Sequence, residues 1–578
     1  MRTALPAAVV TAGVVLLGLA SPATAAVTVA PASAACRPVP APAADVLRAT
    51  DAWEKFGVDG TGVRIGIISD SFGTYGDDVV AADIAAGWLP GPGNPCGRTS
   101  SVEVLREGTS RTTDEGRAMA QVIHGIAPGA QLVFAPTGPD TNASMVDAIS
   151  DLRAAGVDII VDDIAVEDDL RYQRGSAADA VSDAVDDGIL YLSAAGNFGA
   201  AGADGYPSAG FPITSWETSF HRPMPCPDDV TAAALAVAPD RSPLDCLDFQ
   251  GDEGEDPTLG VTLPQGGATS FRLDWAEPVG AVTTSFGTVA RNTVTGEIRA
   301  AWADDPRIPL TRNRMSGDRT QPEEWEVSVV RHRAPGAGVP AVNLFFNDTY
   351  DGAKPIALEH YRSTRWTTVG STMWGHQTAL DTLAVAAVNA QTLTLDTYSS
   401  GGPADTRFGG SPESIAGPAV AGVDGVPISF VIGGPVEPTT FFGTSAAAPT
   451  VAAVAALVKQ AAPASDPAIL RGALESSARP DAFRSPWPAE IEARRFSGAG
   501  LVDAAAAVAA VSPAPQPTPS PTMTPAPNPG PASPTPAAAG PTRLAESGSN
   551  VDATVLGVGA LLLALGGVVR WRRRRARS

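Results

Sequence analysis

Residues 441–459 read FFGTSAAAPTVAAVAALVK, and the rest of the chain is organised around them. Gly443 and Thr444 lead to Ser445, and an apolar run follows. Gly443 and the three alanines 446–448 let backbone and substrate come close to one hydroxyl. Pro449 is expected near the start of a helix, where amides have no intrahelical partner. Val451, Val454, Leu457 and Val458, with alanines between them, make that helix apolar all round, which predicts burial. A serine there has the positive end of the helix dipole beside it, where an oxyanion would form. The bland reading of the same residues is a Ser N-cap on a core helix.

Residues 443–449, Gly-Thr-Ser-Ala-Ala-Ala-Pro, resemble the nucleophile motif of subtilisin-like serine peptidases. Three further blocks resemble the same family: IGIISDSF at 65–72 with its Asp70, SAAGNFG at 193–199 with Asn197, and SGAGLVDAAAAV at 497–508. The resemblance implies Ser445 as nucleophile, Asp70 as a triad member, and Asn197 as oxyanion donor beside the Ser445 N–H. Where the family carries a His-Gly-Thr-His-type motif, this chain reads Asp114-Glu115-Gly116-Arg117-Ala118-Met119, so Glu115 stands at the general-base position. An unperturbed Glu titrates near ~4.3 and is a feeble base at neutral pH. Beside Asp70, the two carboxyls would share a proton, and one should titrate well above its ordinary value. This is partly similar to the sedolisins, serine-carboxyl peptidases that use Glu, Asp and Ser at acid pH. The likeness is incomplete: residue 119, four after Glu115, is Met rather than Asp, and Asn197 stands where sedolisins have Asp.

Asp162 and Asp163 end a strand that, in the family, leads to the substrate pocket. Alternation turns only one of them inward; the alignment favours Asp163, as a third carboxyl near Ser445 or a selector of a basic P1 side chain. The opposing reading is an exposed acidic strand end. His376, in Trp374-Gly375-His376, and Gly443 complete the expected substrate-binding set. His124 lies about two and a half turns beyond Glu115 and faces away from it. His221, His332 and His360 are expected at the surface.

The fold class expected is α/β: a doubly wound, mostly parallel, subtilisin-like sheet with an inserted β-sandwich domain. Strands at 63–69, 131–135, 157–161, 189–194 and 382–389 alternate with helices at 44–56, 114–126, 142–155 and 177–187. From 200 to 366 helical periodicity gives way to alternating stretches such as SFRLDW and WEVSVV, which read as the sandwich. The peptidase part is then 44–199 with 367–511.

The 578-residue chain has 44% hydrophobic and 18% charged residues, enough for a large core and a second domain. A net charge of −22 argues against nucleic acid as partner, because a phosphate backbone needs a basic face. Residues 1–25 read as a secretory signal: Arg2, an apolar run, then Ala23-Thr24-Ala25. Residues 26–43 form an Ala/Pro-rich leader, expected to be disordered. Four cysteines in an exported chain suggest two disulfides, with Cys36–Cys96 and Cys226–Cys246 the favoured pairing. Residues 512–543 are a Pro-rich spacer. Residues 544–578 combine Leu-Ala-Glu-Ser-Gly, an apolar run and an Arg cluster. This tail is similar to a sortase sorting signal; a plain membrane anchor is the rival. Either would hold the ectodomain at the cell surface, on the membrane or the wall. No cofactor is called for. Acidic clusters at 252–256 and 348–351 would offer calcium oxygen ligands but match no EF-hand spacing. The expected function is a surface-tethered serine endopeptidase acting on polypeptides. The alternative is a catalytically silent subtilisin-like scaffold that binds peptides or wall polymer.

Overall fold

The computed structural model describes residues 36–109, 113–251, 254–316, 320–346 and 356–512. The signal, most of the leader, the spacer, the C-terminal tail and much of the acidic clusters lie outside them. Among the described residues, no helix is long and apolar enough to cross a membrane.

Seven strands form one sheet, in the order Glu103–Val104, Gln131–Pro136, Arg64–Ser69, Ile159–Asp162, Leu190–Ala194, Leu383–Asn389, Val420–Asp424. Every neighbouring pair is parallel. Its strands are nearly continuous in apolar residues because both faces are covered. Ile65, Ile67, Leu132, Phe134, Ile159 and Val161 enter one apolar cluster with the helix Thr444–Ala461. Their neighbours Ile68, Val133 and Ile160 enter another, with the helices Asn142–Ala154 and Ser176–Asp186. This period of two is the strand pleat. From Arg64–Ser69 in mid-sheet the chain goes to the edge strand Glu103–Val104, returns to Gln131–Pro136 between them, then crosses to Ile159–Asp162 on the other side. Such a switch in strand order opens a crevice at the carboxyl ends of the strands. Asp70 and Asp163 follow the two strands that flank it.

Fifteen consecutive residues of the helix Thr444–Ala461, from Thr444 to Val458, are buried. Pro449 is its sixth residue, not a first-turn residue as the sequence suggested. Its missing N–H therefore leaves the Ser445 carbonyl without the usual i+4 donor.

The chain leaves the sheet after Leu190–Ala194 and re-enters it on the adjacent strand, Leu383–Asn389. Between them lie two antiparallel sheets. One runs Leu310–Ser316, Ala268–Trp275, Val342–Phe346, Ser215–Thr218, Thr367–Val369; the other centres on Phe286–Asn292 and Glu323–His332. Trp216, Trp275 and Trp325 are buried in a single apolar cluster that draws on both sheets.

Several expectations need correction. Helical structure does not vanish after residue 200: Asp228–Val237 is a helix, with Pro227 before it, two Asp in its first turn and four Ala within it. The predicted helix at 44–56 is two helices, Pro42–Val46 and Ala49–Phe56, broken where Arg48 adopts φ 59°. Arg48 there reaches Asp503 at 2.7 Å and Asp51 at 2.9 Å. His221 is not a surface residue; it is fully buried and pairs with Asp245 at 2.8 Å. Burial pushes its pKa down, against the opposing pull of Asp245. The favoured disulfide pairing needs no correction: Cys36 bonds Cys96 and Cys226 bonds Cys246.

Candidate active site

The helix Glu115–Ile126 presents its first turn to the crevice. Asp114, just before it, adopts φ 55° and is fully buried. Its N–H donates to the Ser71 hydroxyl at 2.8 Å, and its carboxylate accepts the Thr74 N–H at 2.9 Å and Arg117 Nε at 3.2 Å. Arg117, also fully buried, bonds Asp83 and lies 3.8 Å from the Phe430 ring centre. Gly116 packs so tightly that a Cβ would sit 2.3 Å from the Phe134 ring. Three of the residues around the base position, Asp114, Gly116 and Arg117, are thus fixed by packing, hydrogen bonding and ion pairing.

Asp70 Oδ2 accepts the Thr113 N–H at 2.9 Å and the Thr113 hydroxyl. Its Oδ1 accepts the Glu115 N–H at 3.0 Å. Asp70 therefore meets Glu115 through the backbone, at the first turn of the helix.

Ser445 is the second residue of its helix and 8% exposed. Its N–H belongs to the first turn and has no intrahelical acceptor. Asn197 Oδ1 accepts the Thr444 N–H at 2.8 Å and the Thr444 hydroxyl at 2.9 Å. Thr444 Oγ1 in turn accepts the Gly196 N–H at 3.1 Å. Two donors on the amide oxygen fix the orientation of Asn197, and its NH2 becomes the edge that can serve an oxyanion. Gly443, at φ 106°, comes so close that a Cβ there would lie 3.1 Å from Asn197 Nδ2.

Glu115, Asp163, Asn197 and Ser445 line one cavity of about 480 Å³, with Ala194, Phe198, Trp374 and Gln377 among its other walls. The antiparallel strands Ala268–Trp275 and Leu310–Ser316 contribute Arg272 and Arg312. Asp163 is among the lining residues, while Asp162 is not: its Oδ1 takes the Ser193 hydroxyl at 2.8 Å and His376 Nε2 at 3.1 Å. The Asp163 residue keeps some accessible surface, but both carboxylate oxygens are sealed and neither has a hydrogen-bond partner. Burial pushes its pKa well up, and the charges of Glu115 and Asp70 push it further. The sequence placed the shared proton between Asp70 and Glu115. Asp70 already accepts three hydrogen bonds, whereas the Asp163 carboxyl is buried and its pKa is raised.

Two expected pocket residues do not line the cavity. His376 is fully buried behind it on Asp162, flanked by the lining residues Trp374 and Gln377. Burial lowers its pKa, but the Asp162 carboxylate outweighs that and leaves it raised. Gly443 lies behind Asn197 and acts by yielding space. His124 belongs elsewhere, beside Asn94 and next to the Cys36–Cys96 bridge, with a pKa lowered to about 4 by burial. Among the described residues, Asp256, Glu359 and His360 bring three ligand-type atoms within 4.8 Å, and His360 already pairs with Asp256 at 3.1 Å.

Fold and cavity together define a parallel α/β protein with a serine at the start of a buried helix, facing carboxyls at the sheet's switch point. Residues 365–500 match the model of the subtilase family, a span that contains Ser445 and leaves Asp70, Glu115 and Asn197 outside it. No curated protein sequence matches the chain. Among solved structures, it is similar to the Clostridium perfringens CspB protease (12% identity, 80% of this chain and 96% of that one, TM-score 0.47). It is also similar to MycP1 from Mycobacterium smegmatis (15%, 81% and 84%, 0.33) and to the prenylagaramide maturation protease PagA (11%, 80% and 99%, 0.37).

Proposed function

We propose that the protein is an exported, surface-tethered serine endopeptidase in which Glu115 replaces the histidine base. The observation that carries this reading is the single cavity walled by Glu115, Asp163, Asn197 and Ser445. Ser445 Oγ attacks the scissile carbonyl carbon, and its proton passes to the Glu115 carboxylate. The oxyanion accepts from Asn197 Nδ2 and the Ser445 N–H. As the C–N bond breaks, Glu115 returns the proton to the leaving amine, and water reverses the sequence to free the acid. Asp70 holds the first turn that carries Glu115. Asp163, its pKa raised by burial, adds a third carboxyl beside Glu115 and Asp70. A base of this kind works best on the acid side of neutrality. The two antiparallel sheets are read as a β-sandwich insertion whose arginines reach the cleft. Tethering rests on the tail sequence alone, with a sortase or the membrane as the partner implied.

The test is incubation of the purified protein with an unfolded polypeptide and with a fluorophosphonate probe from pH 3 to 8, beside Ser445→Ala. Cleavage and labelling that vanish in the variant support the reading. Absence of both across the whole range favours the silent scaffold.

A further inference from the structure

Behind the Ser445 loop lies a carboxyl pair that this mechanism does not use. Asp424 closes the strand Val420–Asp424 and is fully buried. Its Oδ2 accepts the Gly443 N–H at 2.9 Å and the Tyr398 hydroxyl. Tyr398 Oη also lies 3.2 Å from the Gly443 nitrogen. Gly443 is the residue from which the Ser445 helix starts. The other oxygen, Asp424 Oδ1, is sealed from solvent and accepts from no donor; the same holds for Asp396 Oδ2. The titratable groups facing Asp396 are Asp424 and Tyr398, and those facing Asp424 are Tyr398 and Asp396, with no cation among them. Two ionised carboxylates without a counter-charge in such a place would repel strongly, and each would leave a buried oxygen unsatisfied.

We propose that Asp396 and Asp424 share one proton, and that this acid pair with Tyr398 is the positioning element that holds Gly443 and the start of the Ser445 helix. The proton resides on Asp396 and is donated to Asp424, which remains the acceptor for Gly443. Both orphaned oxygens are thereby satisfied by a single O–H···O bond. Burial pushes Asp396 up to about 8, with the Asp424 charge and hydrogen bond adding to it. Burial raises Asp424 as well, and its hydrogen bonds with Tyr398, the Gly443 N–H and Asp396 pull against that, as befits the accepting partner. Loss of the proton above that pH would leave two like charges against the loop.

The activity readout rests on the reading of Ser445 as nucleophile; the stability readout does not. The experiment compares the full-length wild type with Asp396→Asn, which keeps a neutral donor that cannot titrate, in two measurements from pH 5 to 9. The ratio of wild-type to variant fluorophosphonate labelling should fall about tenfold by pH 9, one unit above the pair's titration. The wild-type Tm should fall with rising pH more steeply than that of Asp396→Asn. Asp424→Asn, a second variant, leaves no second like charge against the loop and should weaken the alkaline fall of both labelling and Tm. Limbs and Tm slopes that coincide in all three proteins overturn the proposal. Wild type that labels at no pH strikes the Ser445 reading instead, and the Tm comparison then decides on the pair alone.

Discussion

Asn197 Oδ1 receives the N–H and the hydroxyl of Thr444, at 2.8 and 2.9 Å, so the expected oxyanion donor also caps the helix that carries the nucleophile. Helix start and oxyanion amide are therefore one unit, with Gly443 between them at φ 106°, a conformation L side chains rarely adopt. Asn197→Ala should lower kcat by about 10² to 10³ with KM little changed, the loss typical of one oxyanion donor. Thr444→Val, which keeps the shape but removes the hydroxyl, should lower kcat by about tenfold, roughly the loss of one hydrogen bond's worth of orientation. Steady-state kinetics on a peptide substrate check both.

Gly443→Ala places a Cβ 3.1 Å from Asn197 Nδ2 on a backbone at φ 106°. A cost of about 1–3 kcal/mol is expected from the conformation alone, because φ 106° with ψ 164° is a region that glycine alone adopts readily. Urea unfolding measures it, and fluorophosphonate labelling should fall in parallel because Asn197 is displaced.

Arg117 is fully buried between Asp83 and Asp114. Arg117→Ala removes the cation and leaves two buried carboxylates, so a loss of about 3–5 kcal/mol is expected. The urea midpoint reports it. Glu115, two residues earlier on the same helix turn, should then lose its placement too.

Asp163 predicts the sign of a pH dependence. Its folded pKa is raised above the unfolded value, so the native state holds the proton more tightly. That stability is fully present below about pH 4, the unfolded value, and is lost as pH rises through the folded value. Asp163→Asn should flatten the fall of Tm with pH on the acid-to-neutral side, and an unchanged slope would show that this carboxyl is ionised in the native protein.

Much of this was legible in the chain. The motif at 443–449 and the apolar strands around Asp70 and Asp163 are local patterns, set by small residues and by a period of two. Strand alternation separates Asp162 from Asp163 without any knowledge of neighbours. Illegible parts are those decided by distant partners. His376 and His221 are buried because Asp162 and Asp245 receive them, which no local pattern announces. Asp396 and Asp424 likewise come from a turn segment and a strand end that are distant in sequence. Arg117 reads like a substituted catalytic motif residue, yet its partners are Asp83, on another helix, and the Phe430 ring. The break at Arg48 follows from its reach to Asp503, near the end of the fold.

The central claim is that Glu115 takes the proton from Ser445. Its most direct test is the second-order rate of fluorophosphonate labelling of Ser445 in wild type and in Glu115→Gln, at pH 5 and with Tm matched as a control for folding. A fall of about 10² or more in the variant, at unchanged Tm, is predicted from the loss of a general base. Labelling of Glu115→Gln at the wild-type rate would contradict the claim.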